Sequence, residues 1–216
     1  MYSIDNSNNI IDISVPIDGQ IPLWPDSLAP EVISVHSIEH EDGVNETRIS
    51  MGMHAGSHLD APSHFIKDAK SMNDLDLNLF FGNAFVVDLP NVPEVKAEDL
   101  ARANIPEGTE RLLIKTSNSK LWERNVGFQK NYVGLTIDAA EWLVKKKIKL
   151  VGLDYLSIAK FEQIEEVHVI LLGAGIPLLE GINLSEVQEG IYTLISLPLN
   201  IQGVEGAPVR AVLIKQ

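Results

Sequence analysis

The stretch Thr136-Ile137-Asp138-Ala139-Ala140-Glu141-Trp142-Leu143-Val144-Lys145-Lys146-Lys147-Ile148-Lys149-Leu150-Val151-Gly152-Leu153 reads as a helix followed directly by a strand. Thr136 can cap a helix running to about residue 147, with Asp138 in its first turn, at the positive end of the helix dipole. The lysine cluster 145–147 sits at the negative end. Residues 148–153 are then almost wholly apolar, which suits a strand covered on both faces.

Working outward, similar strand-like runs occur at 10–15, 32–37, 84–89, 111–116, 192–197 and 208–214. A second helix is expected over 162–172, stopped by Gly173, with Ile164, Val167, Leu171 and Leu172 on one apolar face. A short helix after Val95 fits the same pattern. Strands and helices mixed in this way indicate an α/β fold, richer in strand towards the N-terminus. The chain has 216 residues, 45% of them hydrophobic, with no long linker, low-complexity tract or internal repeat. A single domain spanning 1–216 is therefore expected.

Composition narrows the function. With 17 basic and 30 acidic residues the net charge is −13, which repels phosphate backbones and argues against nucleic acid as a partner. Cysteine is absent, which removes disulfide frameworks and zinc-thiolate sites together. The apolar runs are short and interrupted by Gly, Pro or charge, so no membrane span is expected. The N-terminal stretch is polar and lacks a leader pattern, so the expected location is cytoplasmic.

The chemistry concentrates in Met53-His54-Ala55-Gly56-Ser57-His58-Leu59-Asp60-Ala61-Pro62-Ser63-His64-Phe65. Three of the six histidines fall here, and His54, His58, Asp60 and His64 are separated by even numbers of residues. Extended backbone places even separations on one face, whereas a helix would scatter them. Gly56 and Pro62 also argue against a continuous helix. A single His on an apolar face is usually a hydrogen-bonded core residue. Three with an Asp in register would be costly to bury unpaired. Imidazole and carboxylate suit zinc, manganese or iron, and three protein ligands leave a position for water. A bound metal can bring that water's pKa to about 7, and a nearby His can then move its proton.

Residues 54–64 resemble the H-x-G-T-H-x-D-x-P-x-H signature of the cyclase family, with Ser57 in place of the usual threonine. That family includes bacterial kynurenine formamidases and isatin hydrolases. Pro22-Leu23-Trp24-Pro25 is similar to the family's N-terminal loop, and Val151-Gly152-Leu153-Asp154-Tyr155-Leu156-Ser157 to its G-x-D-x-x-S stretch. Gly206-Ala207-Pro208-Val209-Arg210-Ala211 resembles its G-x-P-V-R-A ending.

The resemblance implies a swivelling β/β/α fold and assembly into a homodimer or larger oligomer. It implies a first metal position at His54, His58 and Asp60, and a second at Asp60, His168 and Glu180. On residues alone, His168 reads as a core histidine and Glu180 as a solvated carboxylate; the resemblance makes both ligands. The expected cofactor is zinc or manganese, one or two per chain.

The expected function is hydrolysis of a small amide by a metal-activated water. An N-formyl arylamine such as N-formylkynurenine is the first substrate class. A cyclic lactam or imide such as isatin is the alternative, and a non-catalytic metal- or ligand-binding protein is the rival from another class. His64 would move the proton, Trp24 and Phe65 would flank an aromatic substrate, and Ser157 would bond a polar substituent. Asp154 could shape the pocket or merely form a turn. No G-x-S-x-G elbow supports a serine hydrolase. Gly173-Ala174-Gly175 reads as a helix C-cap, not a dinucleotide fingerprint.

Overall fold

A computed structural model describes residues 9–122 and 127–216; the polar N-terminus, apart from Asn9, lies outside them. Among the described residues, eleven strands form a nine-stranded sheet and a two-stranded ribbon. The ribbon pairs β2 (Glu31–His36) with β3 (Glu46–Ser50). In the main sheet, β5 (Phe81–Asp88), β6 (Arg111–Lys115), β7 (Leu150–Leu153) and β8 (Leu178–Glu180) run parallel. Beyond β8 come β4 (His58–Asp60) and β10 (Gly206–Pro208), both antiparallel additions. Beyond β5 come β9 (Gly190–Ile195), β11 (Val212–Lys215) and β1 (Ile10–Asp12), also antiparallel.

Three helices connect the parallel strands: α1 (Ala97–Arg102), α2 (Ile137–Lys145) and α3 (Ile164–Gly173). The parallel core is thus β5-α1-β6-α2-β7-α3-β8, the pattern that apolar strands alternating with amphipathic helices predict. Alternate residues of these strands feed two cores. Val87, Leu112, Ile114, Val151 and Leu153 pack under the helices with Leu143, Val167 and Leu171. Val86, Leu113, Leu150 and Leu179 point to the other face. There they meet Leu59 and Ala207 from one end of the sheet and Leu194 and Leu213 from the other, so the sheet curls around this second core. Ser14, just beyond β1, bridges Ile182, just beyond β8, and helps to close the curl.

Several expectations need correction. The run 208–214 is two strands, β10 and β11, on opposite sides of the sheet. The chain breaks between them, where the Ile13 and Ala211 N–H groups bond to the Ala211 carbonyl and the Ser14 hydroxyl. The run 32–37 is a strand as expected, β2, but it lies in the exposed ribbon, and its partner β3, Glu-Thr-Arg-Ile-Ser, falls outside the expected strands. Thr136 occupies the N-cap of α2 but makes no cap bond; its hydroxyl lies 2.6 Å from the Asp138 carboxylate. A 3-10 turn at Phe161–Gln163 precedes α3, shortening the helix expected over 162–172 at its start. Gly175, at φ +77°, follows the C-cap residue Ala174 as the Gly-Ala-Gly reading requires. Among the described residues, no helix is long and apolar enough to cross a membrane.

Candidate metal centre

Strand β4 delivers two side chains to one point. His58 and Asp60 leave the same face of the strand, while Leu59 between them enters the sheet core. Across the ladder His58 pairs with Glu180 of β8, so a carboxylate stands directly beside the imidazole. His168 comes down from the buried face of α3. His54 belongs to a tight turn just before β4, and His64 ends a 3-10 helix, Pro62–His64, that follows it. The expected single extended segment is therefore wrong in detail. Only His58 and Asp60 share a strand face, and turns on either side fold His54 and His64 back over them.

Two local features hold these turns. The Ser57 hydroxyl donates to the Gly181 carbonyl at 2.6 Å and accepts from the Val15 N–H at 2.9 Å, which clamps the turn to β8 and to the N-terminal segment. Gly181, at φ +69°, approaches so closely that a Cβ there would lie 2.0 Å from the Gly56 oxygen.

The hydrogen bonds dictate how the imidazoles face. His58 Nδ1 donates to the Gly56 carbonyl at 2.9 Å, and His168 Nδ1 to the Ile164 carbonyl at 2.7 Å. A carbonyl can only accept, so each ring turns Nε2 inward. His58 Nε2 stands 3.4 Å from both Asp60 Oδ1 and Glu180 Oε2. His168 Nε2 stands 3.3 Å from Glu180 Oε1 and 3.8 Å from Asp60 Oδ2. His54 Nδ1 lies 2.8 Å from Asp60 Oδ1. Glu180 Oε1 also accepts from the Ile158 N–H at 2.6 Å.

His58, Asp60, His168 and Glu180 are all buried, yet His58 Nε2 and Asp60 Oδ2 have no hydrogen-bond partner. Buried polar atoms without partners are expensive, and lone pairs converging on carboxylates suit a divalent cation between them. Two overlapping groups, His54-His58-Asp60 and Asp60-His168-Glu180, each bring their ligand atoms within 4.8 Å of one another. Asp60 belongs to both.

Electrostatics agree with geometry. Burial would raise the Asp60 pKa, but the His54 hydrogen bond and the charges of His54, His58 and His64 hold it well below the usual range. Burial would lower that of His54, but Asp60, Glu180 and Glu205 raise it to about 9. His168 is likewise raised against burial by Glu180 and Asp60. His64 is lowered by its burial, which favours a neutral imidazole able to accept a proton.

His54, His58, His64, His168 and Glu180 line a cavity of about 290 Å³ together with Trp24, Ser27, Phe65, Leu156, Ser157 and Ile164. His64 stacks on His54 with centroids 4.0 Å apart, and Phe65 stacks on His168 at 4.4 Å. Trp24 closes the aromatic side, stacked on Phe161 at 5.4 Å. The expected His54, His58, His64, His168, Glu180, Phe65, Trp24 and Ser157 thus line one cavity, and Asp60 is buried against their imidazoles. Asp154 does not line the cavity: it is buried behind it, accepting from the backbone N–H and hydroxyl groups of Thr116 and Ser119. One neighbour was missed. Glu205 Oε1 lies 3.3 Å from His54 Nε2, and its only sequence signal is that it precedes the Gly206-Ala207-Pro208 segment.

Comparison with known proteins places this arrangement. The Cyclase family model matches residues 11–160. Cyclase-like protein 3 of Arabidopsis thaliana is 36% identical over 98% of this chain and 81% of its own length. The kynurenine formamidase of Bacillus cytotoxicus is 35% identical over 94% of this chain and 96% of its own. Among solved structures, a potential metal-dependent hydrolase with cyclase activity superposes with a TM-score of 0.84 at 30% identity, covering 96% of this chain and 98% of that one. Isatin hydrolase A of Labrenzia aggregata superposes with a TM-score of 0.81 at 25% identity, covering 95% and 93%. A curled α/β sheet, a cavity walled by histidines and carboxylates, and these relatives lead to one conclusion: the chain belongs to the cyclase family of metal-dependent hydrolases.

Proposed function

We propose that the chain hydrolyses a small aryl amide, with the N-formyl group of an N-formyl arylamine such as N-formylkynurenine as its substrate class. The observation that carries this reading is the convergence of two inward Nε2 atoms and two buried carboxylates at the floor of an aromatic-walled cavity. His54, His58 and Asp60 would hold one zinc or manganese ion, and Asp60, His168 and Glu180 a second. Such a cation, when bound, supplies Lewis acidity and brings a water's pKa to about 7.

The chain's own residues do the rest. His64, neutral through burial, accepts a proton from the attacking water and returns it to the leaving nitrogen. Phe65 and Trp24 sandwich the substrate's ring, and the Ser157 hydroxyl bonds a polar substituent. The cavity's volume, about 290 Å³, lies at the small end of ligand sites and suits a small molecule.

A cyclic lactam or imide such as isatin is the second reading. It draws on the likeness to isatin hydrolase A, whose identity to this chain, 25%, is lower than the formamidase's 35%. Both openings need the same activated water and differ only in the cavity walls. The test is metal analysis of protein purified without chelator, with turnover of N-formylkynurenine and of isatin measured in parallel with added zinc or manganese. Stoichiometric metal and faster turnover of the formyl substrate are expected. Faster turnover of isatin selects the second reading, and failure to bind either metal defeats both.

A homodimer or larger assembly belongs to the same proposal. It is supported by the β2–β3 ribbon, which leaves Val32, Val35 and Ile49 largely exposed. An isolated two-stranded ribbon is marginal by itself and gains stability when its apolar residues are covered.

A further inference from the structure

Glu205 is fixed to the strand that carries the cluster. Its carbonyl accepts the Ala61 N–H at 2.8 Å, and the next residue, Gly206, pairs with Asp60 across β10 and β4. The Glu205 side chain then reaches the outer nitrogen of His54, with Oε1 3.3 Å from Nε2. Gly206 braces the same ring, since a Cβ at that position would stand 2.7 Å from His54 Cε1. His64 covers one face of the ring at 4.0 Å between centroids.

His54 is thus oriented differently from its two fellow histidines. His58 and His168 give Nδ1–H to backbone carbonyls and turn Nε2 inward. His54 turns Nδ1 inward, 2.8 Å from the Asp60 oxygen that His58 Nε2 also faces at 3.4 Å. An ionised carboxylate only accepts, so without a cation both ring nitrogens of His54 face acceptors, Nδ1 at Asp60 and Nε2 at Glu205; a cation that takes the place of the Nδ1 proton keeps Nε2–H on Glu205. That leaves Nδ1 as the nitrogen able to offer a lone pair beside Asp60 Oδ1.

We propose that Glu205 is a positioning residue, the outer carboxylate of a Glu205–His54–cation relay that fixes the Nε2–H tautomer and presents Nδ1 to the cation. The relay rests on the reading of His54 as a ligand given above. An outer carboxylate makes the imidazole a stronger ligand as well as orienting it, and losing one typically costs roughly 10–100-fold in metal affinity. Glu205 is about two-fifths exposed, so the lower part of that range applies.

The test compares zinc affinity, by competition with a chromophoric chelator, for the wild type, Glu205→Gln, Glu205→Ala and His54→Ala, each checked for folding by circular dichroism. The His54 tautomer in the zinc-loaded wild type is read by long-range proton–nitrogen correlation NMR. The relay predicts Nε2–H in the wild type, affinity weakened roughly 10-fold in Glu205→Ala with metal stoichiometry unchanged, and partial rescue in Glu205→Gln, whose amide oxygen still accepts. Wild-type affinity in Glu205→Ala overturns the relay, as does a proton found on Nδ1. Loss of metal stoichiometry in Glu205→Ala equal to that in His54→Ala also overturns it, by making Glu205 a ligand itself. If His54→Ala binds zinc like the wild type, the ligand reading of His54 falls first and takes the relay with it.

Discussion

Asp60 occupies the position on which both candidate cation groups depend. Its Oδ1 faces His54 and His58, and its Oδ2 faces His168 at 3.8 Å with no hydrogen bond of its own. Asp60→Asn keeps the volume but removes a charge that three histidines surround. The expected outcome is loss of metal from both groups, read as metal content per chain after purification; full retention would refute the shared-ligand reading. His64 lies beside the cluster, stacked on His54, and is the group assigned to proton transfer. His64→Ala should keep its metal while kcat falls by about 10²–10⁴-fold, the usual contribution of a positioned acid–base group. Steady-state kinetics on metal-replete protein decide it, and an unchanged kcat removes the role. At this scale the sequence was informative because His54, His58, Asp60 and His64 lie within eleven residues. Glu205 is 151 residues from the histidine it touches, and a lone glutamate carries no periodic signal.

Helix α3 shows how an element sets the site. Val167, Leu171 and Leu172 are buried against the sheet, and His168 lies on the same face. Its ring is locked by the helix's own carbonyl at Ile164, one turn back. Packing therefore fixes the height of the ligand, and the backbone fixes its tautomer. Leu171→Ala should cost roughly 2–5 kcal/mol in chemical denaturation, as buried Leu→Ala changes do. It should also weaken metal binding, because His168 rides on the loosened helix; loss of stability with unchanged affinity would uncouple the two. The helices were legible from their apolar spacing and caps, and the parallel strands from their apolar runs. Strand β4 was legible only as extended backbone around His58 and Asp60, because three residues are too few to set a strand's bounds. The strand of the ribbon at 32–37 was legible, but its partner β3, Glu-Thr-Arg-Ile-Ser, was not, because its mostly polar residues give no apolar run.

At the scale of the molecule, two properties follow from how the parts add up. The proposed assembly through the exposed ribbon predicts that Ile49→Lys gives a smaller species than the unaltered chain in sedimentation velocity, and an unchanged distribution would refute an interface at the ribbon. The second property joins folding, pH and metal. In the metal-free protein the His54 pKa rises from 6.5 to about 9, so its contribution to stability is complete below pH 6.5 and disappears as pH climbs through 9. Asp60 shifts the other way, below its ordinary 3.8, so its contribution is present above that value and lost as pH falls further. Metal-free protein should therefore be most stable between about pH 4 and 6.5, with Tm declining towards pH 9. A bound cation reverses the alkaline limb, because it requires His54 and His168 deprotonated and competes with their protons. The gain in Tm on adding zinc should accordingly grow from pH 6 to 9, and zinc binding near pH 7 should release protons. Calorimetry in buffers of different ionisation enthalpy measures that release directly. A binding heat independent of the buffer would mean that the histidines already stand neutral, and would refute the electrostatic account of the cluster.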